Sequence, residues 1–254
     1  MKILRFSQDG VKRYGVLNSL GEVREISGDI YEPFEFTGNI YNLEEINLLA
    51  PCEPSKVVCV GLNYKAHIDE FARFNNGIPV EPVIFLKPPT AVIGPQEDIV
   101  YPEMSKRVDY EAELVVVIRK AGKNIDKSEV HKYILGYTCG NDVTARDVQK
   151  IDRQWTRAKS FDTFAPLGPW IETELDPQNL KIQSFLNDEL KQESSTANMI
   201  FPIFELVSFI SRVMTLNPGD VIFTGTPEGV GPMAKGDTVK VVVEGIGALQ
   251  NKLV

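Results

Sequence analysis

Asp109-Tyr110-Glu111-Ala112-Glu113-Leu114-Val115-Val116-Val117-Ile118 is the stretch on which the reading of this chain turns. In an extended strand, side chains two residues apart point to the same face. Over a strand at 111–118, Glu111 and Glu113 therefore stand side by side, and Val115 and Val117 continue that face as apolar residues. Such a strand carries adjacent like charges towards a core, where they repel unless a proton, a cation or water relieves them. A divalent cation is one solution. The competing reading is an edge strand whose glutamates face solvent, the usual place for glutamate.

A third carboxylate, Asp142, follows in Tyr137-Thr138-Cys139-Gly140-Asn141-Asp142-Val143-Thr144-Ala145-Arg146-Asp147. By itself Asp142 reads as a helix N-cap. Thr144-Ala145-Arg146-Asp147 likewise fits a capping box. Only two histidines occur, His67 and His131, so a histidine-rich metal site is excluded and any metal must rely on carboxylates. Cys52, Cys59 and Cys139 form no C-x-x-C pair, which indicates neither a disulfide framework nor a zinc knuckle.

With 254 residues, 43% of them apolar and 24% charged, the chain can bury a substantial core. The net charge of -8 and the lack of basic runs longer than a pair argue against nucleic acid as a partner. No stretch approaches the ~20 apolar residues that span a bilayer, and Met1-Lys2-Ile3-Leu4-Arg5-Phe6 lacks a signal peptide's apolar run. The expectation is a cytoplasmic protein with no membrane partner.

Ile3-Leu4-Arg5-Phe6, Tyr14-Gly15-Val16-Leu17 and Val23-Arg24-Glu25-Ile26 read as short strands, and residues 39–49 as a helix. The Pro-containing segment 50–55 reads as a linker, giving a small N-terminal domain at 1–50 and a main domain at 55–254. Further strands are expected at 56–60, 83–87, 135–141, 182–186, 220–224 and 237–244. One helix is expected at 203–214, with Ile203, Leu206, Val207, Ile210, Val213 and Met214 on its apolar face.

His67 and Glu70 lie three apart in a helical stretch and share a face, where a carboxylate can orient an imidazole and raise its basicity. Solvated residues of an amphipathic helix are the plain alternative. The segment 71–81, with Asn75-Asn76-Gly77 and Pro79, has the composition of a flexible flap. Gly225-Thr226-Pro227-Glu228-Gly229-Val230-Gly231 lacks the Gly-Lys-Ser/Thr of a phosphate loop and follows a strand. It reads as a substrate loop or as an ordinary glycine-rich turn.

Five motifs occur in order: Gly61-Leu62-Asn63-Tyr64-Lys65-Ala66-His67, the Glu111-x-Glu113 pair, Asn141 to Asp147, Lys159-Ser160-Phe161-Asp162, and Gly225 to Gly231. Together they resemble the fumarylacetoacetate hydrolase family from about residue 55 to the C-terminus. The resemblance implies an α/β (α+β) fold with a mixed β-roll core of the fumarylacetoacetase C-terminal type, preceded by a small N-terminal β-rich domain. It implies that Glu111, Glu113 and Asp142 bind Mg²⁺ or Mn²⁺, with Ca²⁺ as an alternative, and that His67, Glu70 and Lys159 are catalytic. Tyr64, Arg146, Gln149, Gly225 and Thr226 are implied to bind substrate, a small 2-oxo or enol carboxylic acid of the kind met in aromatic-compound catabolism. A homodimer is implied as well.

A metal that polarises a 2-oxo acid serves three reactions through an enolate: hydrolytic C–C cleavage, decarboxylation and tautomerisation. The His67/Glu70 pair inclines the reading towards hydrolytic cleavage of a 2,4-dioxo acid such as an acylpyruvate or fumarylpyruvate. The alternative is an isomerase, tautomerase or decarboxylase of 2-hydroxymuconate-like or oxaloacetate-like diacids, of the 2-hydroxyhepta-2,4-diene-1,7-dioate isomerase type. A non-enzymatic small-acid binding module is the rival from another class.

Overall fold

The computed structural model describes residues 1–70 and 78–254. It is a mixed α+β structure of many strands and few helices, with a β-rich N-terminal region. Strand Ala112–Ile118 lies at its centre, buried along its whole length. It pairs antiparallel with Ile134–Asn141 on one side and with Val221–Phe223 on the other.

The alternation expected from the sequence is realised. Val115 and Val117 pack with Cys59, Leu167 and Phe223 on one side of the sheet, while Leu114, Val116 and Ile118 pack with Leu206, Val207 and Ile210 on the other. A strand covered on both faces needs apolar residues at every position, which is what Leu114-Val115-Val116-Val117-Ile118 supplies. Truncating one of them, Leu114→Ala for instance, should cost about 2–5 kcal/mol.

The strand begins one residue later than expected. Val108–Tyr110 pairs in a separate three-stranded sheet with Thr144–Ala145 and Gly231–Met233, and Glu111 sits at the switch between the two sheets. Its backbone remains satisfied there, because its N–H donates to Asn141 Oδ1 (2.9 Å) and its carbonyl accepts from Asp142 N–H (2.9 Å).

The large sheet continues through Val221–Phe223 to Val57–Gly61 and Val83–Lys87. The Val57–Gly61 pairing with Val221–Phe223 is parallel. In the other direction Ala165–Glu172 pairs with Lys2–Gln8, so the N-terminal strands extend this sheet. A four-stranded antiparallel sheet, Glu189–Ser195, Lys181–Leu186, Thr238–Val243 and Gly247–Lys252, packs against it.

Several expectations are corrected. Residues 39–49 are not a helix but a strand, Glu35–Asn42, a 3₁₀ turn, Leu43–Glu45, and a strand, Asn47–Leu49. Pairing with Glu22–Ser27 and Lys2–Gln8 outweighs local helix propensity there. Helix Ile203–Val213 buries Ile203, Leu206, Val207 and Ile210, but Val213 at its end is 53% exposed. Helix Lys65–Glu70 is formed, whereas most of the flap read over 71–81 lies outside the described residues. Among the described residues no helix is long and apolar enough to cross a membrane.

Candidate active site

The parallel strands Val57–Gly61 and Val221–Phe223 end side by side. They deliver Leu62-Asn63 and Thr224-Gly225-Thr226 to one end of the sheet. Buried Asn63 ties the loops together: its Nδ2 donates to Thr224 O (2.7 Å) and Phe201 O (3.2 Å), and its Oδ1 accepts from Phe201 N–H (2.8 Å). Gly225 has φ +101°, and a Cβ there would lie 2.7 Å from Asn63 Cβ, so only glycine fits. The turn aims the Gly225 N–H at Glu113 Oε2, 2.6 Å away.

A cavity of about 340 Å³ opens at this end of the sheet. Its wall brings together most of the expected residues: His67, Glu111, Glu113, Asp142, Arg146, Gln149, Lys159 and Thr226. Glu70 stands behind His67, its Oε2 3.5 Å from Nδ1 and 3.3 Å from the Gly229 N–H that donates to it. The adjacent His67 imidazole, with help from the Gly229 N–H, holds the Glu70 carboxyl below its ordinary range.

Two expected substrate residues do not line the cavity. Gly225 is absent from the wall, and its amide is taken by Glu113. Tyr64 is 1% exposed and belongs to the core cluster that includes Val58 and Met199.

The carboxylates are buried and close. One oxygen from each of Glu111, Glu113 and Asp142 lies within 4.8 Å of the others. The local alternatives for Asp142 and Asp147 do not hold, since the helix Arg146–Ile151 begins after Ala145 with no side-chain cap. Thr144 instead donates to Glu111 Oε1 or Asp142 O, and Asp147 accepts from Ser105 Oγ and Lys106 N–H. Arg146 pairs with Asp109 Oδ2 (2.9 Å) and Glu111 Oε1, and it also donates to Gln149 Oε1 (2.6 Å).

Lys159 Nζ bridges Glu111 Oε2 (2.9 Å) and Asp142 Oδ2 (2.5 Å). Lys87, fully buried at the end of its strand, reaches Asp142 Oδ1 at 2.6 Å and donates to the carbonyls of Val143 and Phe164. Three buried cations, Lys87, Arg146 and Lys159, thus face four buried carboxylates, Asp109, Glu111, Glu113 and Asp142. Among the described residues the ion pairs reach all of these carboxylates except Glu113.

The consequences diverge. Burial would raise the Glu111 carboxyl, but Lys159 and Arg146 overcome it and hold the group well below the ordinary carboxylate range. Burial pushes Glu113 well above that range, and the neighbouring Asp142 and Glu111 charges add to it. A donor set of three carboxylates, all oxygen, fits a hard divalent cation.

Sequence reasoning missed Lys87 and Gln192. Gln192 Nε2 donates to Thr226 Oγ1 (2.9 Å) and Pro227 O (2.8 Å), and its Oε1 accepts from Ala112 N–H (3.0 Å). Neither belongs to a recognisable motif. The one signal for Lys87 is a lysine ending the apolar strand Val83-Ile84-Phe85-Leu86 just before Pro88.

Residues 56–254 match the model of the fumarylacetoacetate hydrolase C-terminal domain. The chain belongs to the fumarylacetoacetate hydrolase family. Residues 1–51 match a second model, the Rv2993c-like N-terminal domain.

Among solved structures of this family, 5-carboxymethyl-2-hydroxymuconate delta-isomerase from Mycobacterium smegmatis superposes with a TM-score of 0.94 at 44% identity, covering 100% of this chain and 99% of that one. Mitochondrial oxaloacetate tautomerase Fahd2a from Rattus norvegicus is 43% identical, over 83% of this chain and 70% of its own. Maleylpyruvate hydrolase from Sphingobium sp. SYK-6, in complex with manganese(II) and pyruvate, is 28% identical with a TM-score of 0.82, covering 100% of this chain and 99% of that one. The family is thus one of enzymes, with isomerase, tautomerase and hydrolase members.

Proposed function

We propose that this protein is a metal-dependent enzyme that moves a proton on a small 2-oxo or enol carboxylic acid, interconverting its enol and keto forms. The observation that carries this reading is His67, backed by Glu70, on the wall of the same cavity as the Glu111, Glu113 and Asp142 carboxylates. The isomerase and tautomerase relatives, at 43–44% identity, support it.

Glu111, Glu113 and Asp142 would hold Mg²⁺ or Mn²⁺, which supplies Lewis-acid polarisation of the substrate carbonyl. The side chains do the rest. Glu70 Oε2 lies 3.5 Å from His67 Nδ1, where it can orient the imidazole and raise its basicity, and the imidazole takes up or delivers the proton at the carbon beside the carbonyl. Lys159 offsets the charge that develops on the substrate oxygen. Arg146 occupies Gln149 Oε1, which turns the Gln149 amide hydrogens towards a substrate carboxylate. Thr226 Oγ1 accepts from Gln192 and keeps its own hydrogen to donate to the same group.

Hydrolytic C–C cleavage is the second reading. The same His67 can deprotonate a water, and a hydrolase is among the relatives. The test is the rate of oxaloacetate enol ketonisation, followed by loss of enol absorbance with Mg²⁺ and with EDTA, beside acetylpyruvate cleavage followed by NMR. Metal-dependent ketonisation without cleavage supports the proposal. Cleavage products from acetylpyruvate transfer support to hydrolysis, and neither activity with any 2-oxo acid would sink both.

A further inference from the structure

Gln192 lies on strand Glu189–Ser195 of the four-stranded sheet, which contributes no residue to the cavity wall among those described. It is 1% exposed, and every hydrogen bond it makes goes to a part of the site. Its Oε1 accepts from the Ala112 N–H (3.0 Å), the amide between Glu111 and Glu113. The ladder to Val221–Phe223 ends at Val115, short of that amide. Its Nε2 donates to Thr226 Oγ1 (2.9 Å) and to Pro227 O (2.8 Å). Backbone groups settle which end of the carboxamide is which, because an N–H only donates and a carbonyl only accepts. The loop is also seated closely on this strand: Gly229 has φ +91°, and a Cβ there would lie 2.3 Å from Lys191 O.

A threonine hydroxyl carries a single hydrogen. Nε2 holds one lone pair of Thr226 Oγ1, so that hydrogen points elsewhere, and among the described residues it meets no protein acceptor. Thr226 is on the cavity wall. We infer that Gln192 is a positioning residue that aims the Thr226 hydrogen into the cavity. Thr226 is thereby a donor only, and this part of the cavity takes a group that only accepts, such as a carboxylate oxygen. Without the Gln192 amide the hydroxyl rotates and can present lone pairs to the same group. The inference rests on the proposed reading of the cavity as an acid-binding site, and it names a residue that acts on the acid without touching it.

The test is a double-mutant cycle read by calorimetric titration of pyruvate at pH 8 with saturating Mg²⁺. Gln192→Leu removes the amide. Gln192→Glu keeps an oxygen for the Ala112 N–H, so it guards against loss of the fold, and its second oxygen draws the Thr226 hydrogen away from the cavity. Each should weaken pyruvate binding about 10- to 100-fold, the scale of a hydrogen bond to a charged group. Thr226→Val should weaken it by a similar factor. In the Thr226→Val background neither change at Gln192 should cost more than about a further twofold, because the hydroxyl it acts through is gone. Thr226→Ser restores a hydroxyl and should restore both the affinity and its sensitivity to Gln192→Glu.

Variants at Gln192 that keep the parent affinity, or that lose it equally with and without the Thr226 hydroxyl, would overturn the inference, since a merely structural role predicts the same loss in both backgrounds. A parent that does not bind pyruvate would overturn it as well. Turnover is measured separately. A parent that shows the coupling but ketonises no enol would refute the proposed reaction and leave the role of Gln192 standing.

Discussion

Replacing Glu113 by glutamine should make the metal-free protein more stable and deprive it of metal. Glu113 is the one carboxylate of the site without a lysine or arginine partner among the described residues, and it is 1% exposed. Glutamine keeps the shape and an oxygen to accept the Gly225 N–H, so the change removes charge and little else. An unpaired buried ion costs several kcal/mol before relaxation. Relaxation and protonation shrink this, and a net gain of about 2 kcal/mol is expected for Glu113→Gln in EDTA near pH 8. For a chain of this size each kcal/mol moves the melting temperature by about 2–4 °C, so the variant should melt ~4–8 °C above the parent.

Magnesium reverses the order. At a hundred times its dissociation constant a ligand stabilises by about 2.7 kcal/mol, or ~5–11 °C, and only the parent should show that shift. Differential scanning fluorimetry in EDTA and over a Mg²⁺ titration reads both effects. If Glu113→Gln melts below the parent in EDTA, or gains the parent's full shift with Mg²⁺, then Glu113 is neither repelled nor a ligand and the reasoning fails.

Lys159→Met should lower kcat/KM by about 10²-fold, because it removes the cation bridging Glu111 and Asp142 that, on the proposed mechanism, offsets charge on the substrate oxygen; steady-state kinetics checks this. Lys87→Met should destabilise the fold by about 3–5 kcal/mol in urea melts, since it leaves Asp142 with one cation fewer and two carbonyls without a donor. Glu70 has a depressed folded pKa, so its stabilising effect is present above the ordinary value of 4.5 and is lost as pH falls through the depressed one. The stability gap between the parent and Glu70→Gln, expected below ~1 kcal/mol for a partly exposed group, should therefore shrink in melts below pH 4.5. A homodimer is expected, and light scattering at micromolar concentration should return twice the chain mass.

The central strand was legible because two-residue alternation is a backbone property: Glu113, Val115 and Val117 share a face whatever surrounds them. The helix Ile203–Val213 was legible for the same kind of reason. What failed depends on partners remote in the chain. Residues 39–49 become strand through pairing with Lys2–Gln8 and Glu22–Ser27, which no local propensity reports. Glu111 leaves its strand because Val108–Tyr110 joins another sheet. In the site, residues inside dense motifs came together, while Lys87 and Gln192 acquire their places only through partners 55 and 34 residues or more away. Tyr64, inside the same motif as His67, is buried in the core cluster instead of lining the cavity.

The parallel pairing of Val57–Gly61 with Val221–Phe223 sets a schedule for making this protein. At a ribosomal rate of roughly 5–20 residues per second, the first strand waits about 8–33 s for its neighbour to be synthesised. During that interval its edge is open and its valines are uncovered, a state prone to association with other chains. The Gly225 amide that steadies Glu113 arrives at the same late moment. The candidate pocket is therefore among the last features completed, and a nascent chain paused before residue 221 would need a chaperone more than it would need metal.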